Sequence, residues 1–180
     1  MTPTEVLKHE HEIILHVLGA VERTAGAIKA GGPVDADRLA KMVDFFRNFA
    51  DLCHHAKEEK HLFVSMSNKG MSRESGPIAV MLHEHTEGRK LVGAMDAEIQ
   101  KASSGDPRAI QSLVQAMTAY VSLLRAHIQK ENNVLFPMAD RILTADDQEA
   151  LEAAFEKVEA EETGEGVHEK YHRLAHELAE

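Results

Sequence analysis

The feature that most constrains this chain is a three-four spacing of apolar residues sustained over long runs. Met117, Tyr120, Leu124, His127, Glu131, Val134 and Met138 keep that spacing without a break. On a helix they share one face, and an apolar face must be buried. Three further runs behave the same way: Leu7, His11, Ile14, Leu18, Val21, Ala25, Ile28; Phe45, Phe49, Leu52, Ala56, Glu59, Phe63; and Ile78, Met81, His85, Gly88, Val92, Met95, Ile99. The spacing predicts four long helices, Thr4 to Ala30, Asp35 to Ser67, Pro77 to Ala102 and Pro107 to Leu143. Thr4 is the expected first cap, and Gly31-Gly32-Pro33, the Asn68 to Gly76 loop and the Ser103 to Asp106 turn are the breaks. Short connections between long helices imply an all-α, up-down-up-down four-helix bundle over residues 1–143. Residues 144–180 read as a helix capped by Thr144, a break at Thr163 to Gly166, and a final helix carrying Val167, Tyr171, Leu174 and Leu178. They are expected to form a helical cap on the bundle and not a second domain.

Composition narrows the partners. The formal net charge is −10, which disfavours nucleic acid and anionic membrane, since both need a basic face. Cys53 is the single cysteine, so no internal disulfide can form and nothing points to export. No apolar run approaches the roughly 20 residues of a membrane span. The start does not read as a signal peptide. A soluble, cytoplasmic protein, monomer or homodimer, is expected. The outlier is histidine, with 12 residues scattered along the chain.

The useful histidines are those on the apolar stripes. His11 and His85 are the strongly polar members of the first and third stripes, while His9 and His16 point well away and should face water. His127 and Glu131 stand four apart inside the fourth stripe. The second helix holds two overlapping pairs, His54 with Glu58 and His55 with Glu59. The phase of its stripe selects His55 and Glu59. Aligning Lys57-Glu58 and Leu62-Phe63 with Lys130-Glu131 and Leu135-Phe136 selects His54 and Glu58. Phase is given the greater weight, because a ligand must point inward. Gly88 in mid-helix, at about 1 kcal/mol against Ala, suggests close approach of a helix or ligand near His85.

The order repeats: Glu10-His11 then His-x-x-x-Glu, followed by Glu84-His85 then His127-x-x-x-Glu131. In an antiparallel bundle this brings His11, His55, Glu59, His85, His127 and Glu131 to one level. A buried carboxylate needs a positive neighbour, and the fourth stripe supplies no Lys or Arg. A metal is the natural candidate, and a mixed imidazole and carboxylate set suits two ions bridged by the glutamates. The bland alternatives are hydrogen-bonded core histidines and surface His-Glu pairs. Glu58-x-x-His61, Glu165-x-x-His168 and Glu169-x-x-His172 also match the Glu-x-x-His of ferritin-like sites, but two of these lie in the tail.

These motifs, together with Asn132-Asn-Val-Leu-Phe-Pro137, resemble the hemerythrin-like, or HHE cation-binding, family over about residues 4–141. The stretch from His54 through Gly76-Pro77-Ile78 to His85 is most similar to the di-iron proteins that repair iron–sulfur clusters. The resemblance implies a four-helix bundle around two Fe ions, oxo- or hydroxo-bridged, with zinc or manganese able to replace them in a recombinant sample. Oxygen-carrying members use five histidines, and the fifth here falls to His54, His61, His168, His172 or a water. The implied role is to bind or sense O2, NO or reactive oxygen species as part of a stress response, or to hold iron. The alternatives are an enzyme acting on peroxide or in cluster repair, and a zinc-bound or metal-free structural bundle.

Overall fold

The computed structural model describes residues 1–164 and 166–180. These residues are helical almost throughout. Helix α1 is Pro3–Lys29, α2 spans residues 36–68, α3 is Gly76–Ser103, α4 spans residues 107–142, α5 spans residues 145–164 and α6 is Val167–Ala179. The ends follow the expected chemistry with one shift. Thr2, and not Thr4, caps α1 in a reciprocal box with Glu5; Thr4 is buried and donates to Asp140 of α4. Asp35, Asp106 and Thr144 cap α2, α4 and α5, each side chain accepting from backbone N–H groups of the first turn.

Two apolar clusters fill the interior, and a polar layer separates them. One contains Ile14, Leu18, Phe49, Ala50, Val92, Met95 and Leu124. The other contains Leu7, Leu62, Phe63, Met81, Leu135 and Phe136. Along α1 the chain passes from the second cluster at Leu7, through His11, to the first at Ile14. Along α2 it returns, through His54 and Glu58, to Leu62. Helix α3 leaves from Met81 through His85 to Val92, and α4 comes back through His127 and Glu131 to Leu135. The four helices therefore alternate in direction, and each crosses the same layer once. The tail repeats the crossing. Leu151 and Phe155 of α5 join the second cluster, while Tyr171, Ala175 and Leu178 of α6 join the first.

The first and third stripes are buried as spaced. In α2 and α4 the phase changes. Residues 46–55 and 58–62 of α2 and residues 131–135 of α4 are wound as wider π turns. Steps of four residues hold Phe46, Ala50, His54, Glu58, Leu62 and Met66 on the buried side. In an ordinary α-helix each such step drifts by about 40°, which over five steps would carry the row from core to solvent. The wider turn removes the drift. Leu52, expected inside, is consequently 56% exposed, and Val134 is 49% exposed. Beyond Glu131 the buried row of α4 moves to Leu135, Phe136 and Ala139, with Met138 only half-buried against them. Gly88 faces Tyr120, whose Cε2 lies 3.6 Å from where a Cβ would stand.

Candidate metal centre

The polar layer gathers seven side chains from four helices. His11, His54, Glu58 and Glu131 form one group of candidate ligand atoms, and His55, Glu58, His85 and His127 form another. All seven residues are buried. The two carboxylates span the groups. Glu131 places Oε2 3.1 Å from His11 Nε2 and Oε1 3.2 Å from His127 Nε2. Glu58 places Oε1 3.3 Å from His54 Nε2 and Oε2 3.3 Å from His85 Nε2. Two half-sites result, one with two imidazoles and one with three.

Five of the six residues favoured from the sequence, His11, His55, His85, His127 and Glu131, meet here. The sixth does not. Glu58 is fully buried between the half-sites, while Glu59 keeps 25% of its side chain exposed and pairs with Arg89. The π turns explain the exchange. They rotate Glu58 inward and bring both His54 and His55 to the interior, so the two overlapping pairs do not exclude each other. His54 supplies the fifth imidazole. His61 is half-buried outside the layer. His168 joins neither group and pairs with Glu10 at 3.5 Å, and the rings of His172 and His176 lie against each other. Glu165 lies outside the described residues. The signal for Glu58 was present in the gap-free match between α2 and α4.

Each imidazole turns its Nε2 inward because its Nδ1 is engaged. His11 Nδ1 bonds Asn132 Oδ1 at 2.7 Å, His54 Nδ1 bonds Glu10 at 2.8 Å, His55 Nδ1 bonds Asp51 at 3.3 Å, His85 Nδ1 bonds Glu59 at 2.7 Å and His127 Nδ1 bonds Glu84 at 3.2 Å. Cations hold the carboxylates in turn: Lys57 donates to Glu10, Lys130 to Glu84, and Arg89 to both Asp51 and Glu59. An outer acceptor on Nδ1 fixes the tautomer and ring angle that put a lone pair on Nε2. Sequence reasoning gave none of these residues an outer role: it saw Glu10 and Glu84 as markers of the repeat and Glu59 as a ligand.

The inner atoms lack what buried polar atoms require. Both oxygens of Glu58, both of Glu131, and Nε2 of His11 and His54 have no hydrogen-bond partner. His85 Nε2 and His127 Nε2 stand 3.1 Å apart, two acceptors facing each other once both Nδ1 atoms carry hydrogen. Burial opposes protonation of His54, but Glu58 and Glu10 outweigh it and push the imidazole up to about 10. Burial also opposes it at His127, where Glu131 and Glu84 bring the same outcome, about 10. Burial and the neighbouring His85 push His55 down to about 3. Burial and Glu58 act to raise the Glu131 carboxyl, yet His127 and His11 hold it down to about 2. Protons thus stand where cations would, and a metal would displace them. Orphaned carboxylates ringed by oriented imidazoles fit divalent or trivalent cations.

Comparison with known proteins agrees. The family model of the hemerythrin HHE cation binding domain matches residues 2–139. An uncharacterized protein of Mycobacterium bovis is 25% identical over 165 residues, covering 92% of this chain and 64% of that protein. The iron-sulfur cluster repair protein YtfE of Edwardsiella ictaluri is 32% identical over 103 residues, 56% of this chain and 46% of that protein. Its namesake from Salmonella typhimurium is 33% identical over 93 residues, 49% of this chain and 42% of that protein. The chain therefore spans less than two thirds of these relatives' lengths. No solved structure matches it. No described helix is long and apolar enough to cross a membrane. With the shared domain extending over residues 2–139 of its 180, the chain belongs to the hemerythrin HHE cation-binding family.

Proposed function

We propose that this chain holds two iron ions between its helices and uses them to bind or sense O2, NO or a peroxide. Glu58 and Glu131 would bridge the pair, His11 and His54 would complete one ion, and His55, His85 and His127 the other. The observation that carries this reading is the pair of orphaned carboxylates, each aiming one oxygen at imidazole nitrogens of one half-site and the other oxygen at the second. A pair of iron ions supplies reversible ligand binding and one- or two-electron chemistry toward small oxygen and nitrogen species.

The chain's own residues would govern that chemistry. The half-sites differ by one imidazole, so His11 and His54 would hold their ion with one imidazole fewer, leaving that side the more open to an added ligand. Glu10, Asp51, Glu59, Glu84 and Asn132 keep the imidazoles oriented and basic. Phe136 stacks 5.4 Å from the His11 ring, and the flanking apolar clusters exclude water, strengthening every charge interaction within the layer.

The names of the relatives favour a second reading, in which the iron is donated during iron–sulfur cluster repair. Protein from iron-replete growth tests the first step. Two irons per chain by elemental analysis, with near-ultraviolet absorption under air, is the expected result. One metal or fewer, or zinc with no such band, would overturn it. Reversible O2 or NO binding without turnover then supports a binding protein. Peroxide consumption, or release of iron to an apo-cluster acceptor, supports the second reading.

A further inference from the structure

A cavity of about 240 Å³ lies between α2, α3 and α4, lined by Phe46, Asp51, His55, Gly88, Arg89 and Tyr120 among others. Its shape follows from the helices around it. The wide turns of α2 set Phe46, Asp51 and His55 along one wall. Gly88 leaves the opposite wall without a side chain, and the would-be Cβ position is in ordinary contact distance of Tyr120.

The lining divides by chemistry. Phe46 and the Tyr120 ring, in edge contact with centroids 4.7 Å apart, give an apolar surface together with Val92. The polar end offers a hydroxyl donor, Tyr120, and a carboxylate acceptor, Asp51. Tyr120 is only 3% exposed, and its hydroxyl has no hydrogen-bond partner among the described residues. Burial and the nearby Asp51 carboxylate push this hydroxyl's pKa up, so it keeps its proton and can donate. Asp51 uses Oδ1 for both His55 and Arg89, leaving Oδ2 to accept. Neither the Tyr120 hydroxyl nor Asp51 Oδ2 is among the atoms sealed from solvent without a partner, so a ligand there would replace water, and a cavity of this volume has room for a small organic molecule.

We propose that this cavity is a binding site for a small neutral hydroxylated molecule of phenol size, which accepts from the Tyr120 hydroxyl and donates to Asp51 while its apolar body lies on Phe46 and Val92. A carboxylate would repel Asp51. A hydrocarbon would leave Tyr120 unpaired, and a ketone would satisfy only one of the two groups. The site adjoins the three-imidazole half-site through His55 and is independent of which metal stands there.

Calorimetric titration of the full chain, as purified, with phenol, toluene and benzoate tests this. Phenol should bind saturably at one site per chain. Toluene, which forms neither bond, should bind about 30-fold more weakly, the effect of two ordinary hydrogen bonds, and benzoate more weakly than phenol. Tyr120→Phe keeps the ring and should lower phenol affinity about fivefold, the effect of one ordinary hydrogen bond, leaving it above that of toluene, whose own affinity should stay unchanged. Gly88→Val, which fills the cavity, should abolish both. No saturable phenol binding, equal affinities for phenol and toluene, or an unaltered phenol affinity in Tyr120→Phe would each overturn the proposal. The readout is heat, so a failure here is separable from a failure of the iron reading, which is judged by metal content.

Discussion

Helices α2 and α4 carry the same His-x-x-x-Glu pair, and both widen into π turns from the glutamate onward. They part company at a single position beside the pair. In α2, His54 is followed by His55, and both are buried; in α4, His127 is followed by Ile128, which joins the apolar core. The wide winding of α2 starts twelve residues earlier, at Phe46, and it is this extra length that turns two adjacent histidines toward the same layer. An internal repeat that would give a symmetric pair of half-sites thus gives an unequal one. One histidine in place of an isoleucine, in a stretch of wider winding, makes the two half-sites unequal.

That difference can be tested from its largest consequence down. Glu58→Ala should remove nearly all bound metal by elemental analysis, as should Glu131→Ala, because each spans both half-sites. Glu59→Ala should retain metal with affinity lowered about 10–100-fold, the usual effect of losing an outer partner. The reverse result would restore the simple helical phase in α2. Next, His54→Ala should reduce the metal count from two to one per chain, since it leaves one half-site with a single imidazole. His55→Ala should keep two, since it leaves two imidazoles on each side; equal losses in both variants would erase the inequality.

Acidity gives a smaller effect. His54 and His127 rise from 6.5 to about 10 on folding. Their contribution to the stability of chelator-treated protein is complete below pH 6.5 and is lost as the pH climbs through about 10. Its melting temperature should fall across that window. Metal-loaded protein, whose imidazoles carry no such proton, should show no matching fall. The smallest effect lies on the α2 surface. Leu52→Ala should change stability by no more than about 0.5 kcal/mol, whereas Phe49→Ala should cost about 3–5 kcal/mol, both read by denaturant unfolding. A large loss at Leu52 would contradict the π winding.

Much of this molecule was legible in its sequence because straight α-helices obey a fixed period. The stripes of α1 and α3 are buried residue by residue, and His11 and His85 lie where the spacing puts them. Where the winding departs from that period, prediction by phase fails at named positions: Leu52 and Val134 face solvent, and Glu58 displaces Glu59. The motif match between α2 and α4 carried the missing information, since equal turns place equal residues alike. Nothing in the spacing announced Asp51, Glu59 and Arg89 as an outer clamp, because their contacts join helices distant in sequence and depend on side-chain reach.

Lys57 sits wholly buried, donating to Glu10 on one side and to Glu159 of α5 on the other. Glu10 orients His54, so an acidic residue beyond the stretch shared with the family stands third in line from an imidazole of the buried polar layer. The appendage is thereby wired into the heart of the molecule. Drift in its sequence would retune the weaker-liganded ion from a distance, leaving every coordinating residue untouched.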